Sequence, residues 1–315
     1  MQFWPLIRLL PRETHFKFVS LAPYAAIVSA ILVLGCFVSF ATQGLNLGVD
    51  FKGGTALEVM TPGPAPLPAL RGDLARMGVN DAQIQQFGDP RSAMIRFERV
   101  ADVEPAQAVT AVKARLSRDF QGIKFTSEDA VGATISGELF KGGLEALVAA
   151  IALMLAYIWF RFQLQFGMGA VIALAHDIVL TMGMLSVFHI EFSLPSIAAL
   201  LTVIGYSMNE KVISFDRLRE NLRKYKKMPL RDVINLSENE RLSRTMITGA
   251  TALLALSGML FLGGPTIFPV IIAMVFGIFV GTYSSIYVAL PVILLWGVKR
   301  DEDEPQPIKF QQARR

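Results

Sequence analysis

The 315-residue sequence has one cysteine, Cys36, and three histidines, so an intrachain disulfide is excluded and Cys/His metal spacing is missing. Charge is scarce too. Only 18% of residues are Asp, Glu, Lys or Arg, where an ordinary soluble chain carries about a quarter, and a single soluble domain is not expected. No Gly-Lys-Ser/Thr nucleotide loop and no Ser/His/Asp set stands out, so hydrolytic chemistry has no visible machinery. The formal net charge of +4 sits in segments beside apolar runs, where it reads as topology rather than as a nucleic-acid surface.

What the chain has in quantity is apolar length. Hydrophobic residues make up 53% of it, and the mean hydropathy is +0.46. Thr245 to Val298 is a run of 54 residues without a charge. As helix it would measure about 80 Å, more than two crossings of a ~30 Å hydrocarbon core. Val19 to Phe40 is a first uncharged stretch, preceded by Arg8, Arg12 and Lys17 and followed by no small-residue cleavage site, so it reads as a retained span. Further stretches run from Gly142 to Phe160, Phe166 to Phe188 and Phe192 to Phe215. Gly263-Gly264-Pro265 is a turn signal that divides the long last run in two. The reading is a polytopic α-helical membrane protein with six transmembrane helices.

Orientation follows from the basic residues of short loops. With the N-terminus (1–18) inside, the inner segments hold Arg8, Arg12, Lys17, Arg161, a basic loop at about 216–244 and a tail, 299–315, containing Lys299, Arg300, Lys309, Arg314 and Arg315. The outer turns, near His189 to Ser193 and Leu262 to Pro265, hold none. Both termini are therefore expected in the cytoplasm. The spans are expected over 19–40 and, five together, over 142–298, with a charged domain at 41–141 on the outer side. The basic stretch from Phe215 to Lys227 is expected to be a solvated extension, with contact to anionic membrane lipid or docking to a partner as alternative uses.

Within 41–141, Thr55 to Met60 alternates like a strand, a helical stretch ends near Met77-Gly78, and Ala82 to Phe87 and Ala93 to Phe97 flank a Gly-Asp-Pro turn at 88–90. Pro105 to Phe120 has helical spacing, and Ile123 to Thr126 closes the set as a strand. The order βαββαβ predicts a small α+β, ferredoxin-like sandwich. It has no His or Cys, and its charges are scattered, so a binding or mechanical module is expected rather than a catalytic one.

Ionisable residues inside spans are costly and mark function by default. Four qualify: His176, Asp177, Glu210 and Lys211. His176 and Asp177 point about 100° apart on a helix, which favours interhelical packing bonds over a shared pathway. Glu210 follows Gly205, Tyr206, Ser207 and Asn209, a polar cluster expected to interrupt its helix and admit water. A carboxyl there is discouraged from ionising by desolvation and encouraged by a cation, so it can load and release a proton. The candidate cations are Arg244 and Lys211; Lys211 is expected to point to another face and snorkel toward the inner interface. A static Glu210–Arg244 ion pair is the competing interpretation. Gly277 and Gly281 have the small-xxx-small spacing of close helix packing, with the partner helix left open. Gly53-Gly54 permits positive φ where the chain leaves the first span, and Asp50 is expected to accept backbone bonds in that turn.

Three motifs then come in order: Gly48-Val-Asp-Phe-Lys-Gly-Gly54, Leu174-Ala-His-Asp177, and Gly205-Tyr-Ser-Met-Asn-Glu210 running into Phe215-Asp-Arg-Leu-Arg-Glu-Asn221. Together with the layout they resemble the SecF side of the bacterial SecD/SecF translocase family, within the resistance-nodulation-division superfamily. The resemblance covers nearly the whole chain. Its motif residues include Gly48, Asp50, Phe51, Gly53, Gly54, His176, Gly205, Asn209, Lys211, Asp216 and Arg217. It implies an inner-membrane subunit with a periplasmic loop domain that pairs with SecD, associates with the SecYEG channel and uses the proton gradient to promote export of preproteins. It implies no enzyme activity and no cofactor beyond protons as coupling ion. The family's proton-coupling carboxylate, usually within Asn-Asp-Thr, falls on Asn209-Glu210-Lys211, its arginine on Arg244 and its third-span aspartate on Asp177. A half-size proton-driven exporter of small molecules is the alternative, weakened by the small outer domain, and a passive scaffold is the third reading.

Overall fold

A computed structural model describes residues 14–79, 82–97, 105–131, 133–264 and 266–298. Arg8, Arg12, Pro265 and the basic tail from Lys299 to Arg315 lie outside these residues. The first apolar stretch forms α1 (Phe18–Thr42). A strand β1 (Asn46–Leu47) and one helical turn α2 (Val49–Lys52) follow. Gly53, at φ 74°, then reverses the chain into the outer domain, a conformation that a side chain would strain.

The domain runs β2 (Gly54–Met60), α3 (Leu67–Arg76), β3 (Gln83–Phe87), β4 (Asp89–Phe97), α4 (Pro105–Asp119) and β5 (Lys124–Val131). Its sheet has the order β3-β4-β2-β5, with every neighbouring pair antiparallel. Alternation puts Leu57 and Val59 of β2 and Ala93, Ile95 and Phe97 of β4 on one face, where they meet Leu70 and Leu74 of α3 and Val109, Val112 and Leu116 of α4. Only Gly88 forms the turn between β3 and β4, because Asp89 and Pro90 already belong to β4. The last strand runs on to Val131 instead of stopping at Thr126.

The next helix, α5 (Ala133–Arg161), starts before Gly142, so the polar stretch up to Lys141 is helical. It contains helix formers and no proline, and nothing stops the helix there. Beyond it come α6 (Leu164–Val187), β6 (Glu191–Phe192), α7 (Leu194–Lys224), α8 (Leu230–Leu262), α9 (Phe268–Ser284), a π-helical turn (Ser285–Ala289) and α10 (Leu290–Trp296). Among the described residues, five helical segments are long and apolar enough to cross a membrane: Phe18–Thr42, Ile135–Arg161, Leu164–Val187, Leu230–Leu262 and Phe268–Trp296. The remaining long helix, α7, has 31 residues and packs against α5, α6, α8 and α9. Its polar run from Tyr206 to Lys211 makes it the least apolar of the bundle.

Two expectations about this region are corrected. The polar cluster does not interrupt α7, because its buried side chains find partners on neighbouring helices and the backbone has no need to open. The loop expected at 216–244 shrinks to Tyr225–Pro229, since Asp216 to Lys224 extend α7 and α8 begins at Leu230, directly after Pro229. The packing partner left open for Gly277 and Gly281 is α7 of the same chain. A Cβ on Gly281 would lie 3.0 Å from the Cβ and 3.2 Å from the Cα of Ser207, so α9 and α7 approach nearly backbone to backbone.

The glycine-rich motif ties the outer domain to the bundle. Strand β1 pairs in parallel with β6, and the Gly48 N–H donates to the Phe192 carbonyl at 2.9 Å. Phe51 packs between Phe140 and Phe192. Asp50 does not cap its own turn; its Oδ2 accepts the Leu194 N–H at 2.9 Å, at the first residue of α7. Arg96 of β4 forms an ion pair with Glu191. Burial pushes the Glu191 carboxyl up against the pull of Arg96, so acidification releases this tie sooner than it would an ordinary carboxylate pair. Arg96→Ala should speed amide exchange in β1 and β6 while β2 and β4 stay protected. Unchanged exchange there would mean that the short ladder holds without the ion pair.

Candidate functional site: a buried charge network around the central helix

Two polar clusters meet on α7. In the first, the fully buried Lys211 ammonium donates to Asp177 Oδ2 of α6 at 2.8 Å, to Ser284 Oγ at 3.1 Å and to Ser207 Oγ. Ser284 donates to the same Asp177 oxygen at 2.8 Å, and Ser207 does so as well. Asp177 Oδ1 is 3.0 Å from His176 Nδ1, and His176 Nε2 is 3.2 Å from Ser29 Oγ of α1. Ser29 in turn lies 2.9 Å from the Tyr283 hydroxyl.

This overturns two expectations. Lys211 does not snorkel: a short side chain on a facing helix supplies a carboxylate inside the bundle, which is cheaper for a buried ammonium than bending out of packed surroundings. His176 and Asp177 also share one environment despite their angular separation, because the imidazole folds back onto the neighbouring carboxylate. The packing role expected for the pair is visible in the His176 link to α1.

In the second cluster, Glu210 Oε2 accepts Arg241 Nη1 at 3.2 Å and Thr245 Oγ1 at 3.1 Å. The cation is therefore Arg241, and not Arg244, which is exposed. The physical reason is the start of α8. With the helix running from Leu230, Glu238, Arg241 and Thr245 recur at i, i+3 and i+7 on the face toward α7, whereas Arg244 falls outside that stripe. Arg241 Nε donates to Glu238 Oε2 at 2.7 Å, Nη2 to Ser285 Oγ at 2.9 Å and Nη1 to Thr245 at 2.8 Å. Ser214 Oγ donates to Glu238 Oε1 at 2.7 Å. Glu210 Oε1 is buried and has no hydrogen-bond partner.

The π-helical turn joins the clusters. Ser284 ends α9 and serves Lys211 and Asp177, while Ser285 opens the turn and serves Arg241. An extra residue per turn re-aims consecutive side chains, and such turns are frequent at functional sites. Sequence reading missed Glu238, Arg241, Thr245, Ser284 and Ser285. The first three carried a signal in their spacing, hidden by assigning their segment to a loop.

Other motif residues lie elsewhere. Asp216 pairs with Arg161 at 2.9 Å, and Arg217 with Glu240 at 2.8 Å, so both fasten the far end of α7 to its neighbours. Gly205 faces open space, and Asn209 is exposed on the outward side of α7.

The fold and site define a polytopic membrane protein whose central helix carries paired charges buried in the helix bundle. The chain matches two families: protein export membrane protein SecD/SecF, C-terminal, over 111–299, and the SecD/SecF GG motif over 38–61. It is 41% identical to the protein translocase subunit SecF of Rhodobacter capsulatus, covering 96% of this chain and 95% of that one. It is 38% identical to the protein translocase subunit SecF of Rickettsia bellii, over 96% and 100%. The crystal structure of SecDF, a translocon-associated membrane protein from Thermus thermophilus, superposes with a TM-score of 0.83 at 33% identity. That match covers 92% of this chain and 40% of the longer SecDF chain. The chain belongs to the SecD/SecF family of protein-export membrane proteins.

Proposed function

We propose that this chain is an auxiliary subunit of the Sec translocase that uses the proton gradient, together with SecD, to promote export of polypeptides across the bacterial inner membrane. It acts beside the SecYEG channel on the translocating preprotein and performs no enzymatic reaction; protons are its coupling ion. On this reading α7 is a sixth span, both termini are cytoplasmic, and the ferredoxin-like sandwich of β2 to β5 is periplasmic. The sheet order supports that description of the sandwich.

The observation that carries the reading is the state of Glu210. One guanidinium serves two buried carboxylates, Glu210 and Glu238, and one Glu210 oxygen is without a partner. Like charges in one dry site resist joint ionisation, so the cluster has room for a proton. The Lys211–Asp177 pair, in contrast, joins one cation to one carboxylate. Support for SecD comes from the outward face of α7, where Thr202, Gly205 and Asn209 form a stripe of polar and small residues toward the outside of the bundle. A second set of helices satisfies such a stripe better than lipid does. The small-molecule exporter is disfavoured by the outer domain, whose interior is filled by Leu57, Leu70, Ile95 and Val112.

Mild solubilisation of native membranes tests the assignment. SecD and the SecYEG channel should co-purify with the tagged chain. Recovery of a self-sufficient homo-oligomer that transports a small solute would instead establish the exporter.

A further inference from the structure

The proton site contains a carboxylate that the family resemblance does not assign, Glu238, and its bonding differs from that of Glu210. Its side chain is 1% exposed. Oε2 takes Arg241 Nε and Nη2, each at 2.7 Å, and Oε1 takes Ser214 at 2.7 Å. Glu210 has a single, longer contact with Arg241, at 3.2 Å, and an unpartnered oxygen. The guanidinium is thus held mainly by Glu238, its neighbour one turn back on α8.

We propose that Glu238 is the permanent counter-ion of Arg241, a positioning residue that keeps the guanidinium in place while Glu210 gains and loses its proton. The inference rests on Glu210 being the titrating group. An arginine stays charged at any working pH, so it needs a carboxylate at every stage of a proton cycle. With Glu210 as sole partner, each protonation would strand a cation at lipid depth, at a cost that would oppose proton loading. Glu238 removes that obstacle. Its charge also offsets the field of Arg241 at Glu210, so removing it leaves the guanidinium to act on Glu210 alone.

Other charged and titratable groups pack around the site. From α7 come Tyr206 and Lys211, the latter bound to Asp177 of α6 beside His176. The π-helical turn brings Tyr287 within electrostatic reach of Glu238. On α8 itself, Glu240 is engaged by Arg217 and Asn221. The backbone N–H groups of Phe16, just before α1, and of Val19 in α1 donate to Asn239 and Asn235 of α8.

The test is infrared titration of the carboxylic-acid C=O band in the full-length chain, purified with its membrane partner and reconstituted in lipid. The Glu210 band is assigned by its loss in Glu210→Gln. In Glu238→Gln the midpoint of that band should move to lower pH by about one unit or more, because Arg241 then acts on Glu210 alone. In Glu238→Asp, which keeps the charge but draws it back from Arg241, the shift should have the same direction and be smaller. If Glu238→Gln does not accumulate, the Asp variant carries the test. A midpoint at the wild-type value in the variants, or one that moves upward, overturns the proposal. Disappearance of the band in Glu238→Gln overturns it as well, making Glu238 the carrier. A spectrum that Glu210→Gln leaves unchanged would instead overturn the underlying assignment of Glu210.

Discussion

Glu210→Gln should abolish the component of export that depends on the proton gradient, while protein level and recovery with SecD stay as in wild type. The amide oxygen of glutamine can still accept Arg241 and Thr245, the groups now bound at 3.2 and 3.1 Å, so the α7–α8 contact survives. What disappears is the only function an isosteric amide cannot supply, the ability to ionise. The expected effect is therefore complete loss of gradient dependence with little structural change. Export assays in inverted or intact vesicles, with the gradient present and collapsed, read it directly. Normal gradient-dependent export at normal protein level would leave only the scaffold interpretation. Glu210→Asp should retain part of the activity; the length that matters there is the reach to Arg241, since Lys211 is occupied by Asp177.

The second large effect lies in that other pair. Lys211→Met removes a fully buried ammonium and leaves Asp177 with His176 and two serine hydroxyls but no cation. Breaking a buried ion pair by deleting one partner costs about 3–5 kcal/mol, because the remaining charge stays desolvated. Asp177→Asn should be destabilising for the converse reason. Replacing both at once removes both orphaned charges, so the double variant should recover most of the loss. Denaturant unfolding in detergent of the two single variants and the double variant gives the coupling directly. Single variants within about 0.5 kcal/mol of wild type, or a double variant equal to the sum of the singles, would show that the pair does not hold α6 to α7.

The legible parts of the protein were those governed by local pattern. Alternation in Thr55 to Met60 and the helical spacing of Val109, Val112 and Leu116 pointed to β2 and α4 because one face of each had to be apolar. Glu210 and Asp177 stood out because a carboxyl in an apolar run is costly wherever its partner lies. The partners were not legible. Arg244 stands nearest the apolar run that begins at Thr245, and hydropathy alone does not mark the charged segment before it as helix. Once that segment is helical, the counter-ion moves one turn back, to Arg241. The identity of the Lys211 partner depended on the approach of α6 to α7, and the role of Ser284 and Ser285 on a π-helical turn that leaves no mark in hydropathy.

The sequence by itself determined that the chain crosses a membrane several times, that a compact α+β module follows the first crossing, and which side chains carry charge into the bundle. These follow from transfer energies and periodicity, which are properties of short segments. The tertiary structure decided which charges meet: Lys211 with Asp177, Glu210 with Arg241, and Arg241 with Glu238. Ion pairing in a dry interior is set by distances of a few ångströms between helices far apart in the chain, and no local pattern encodes those distances.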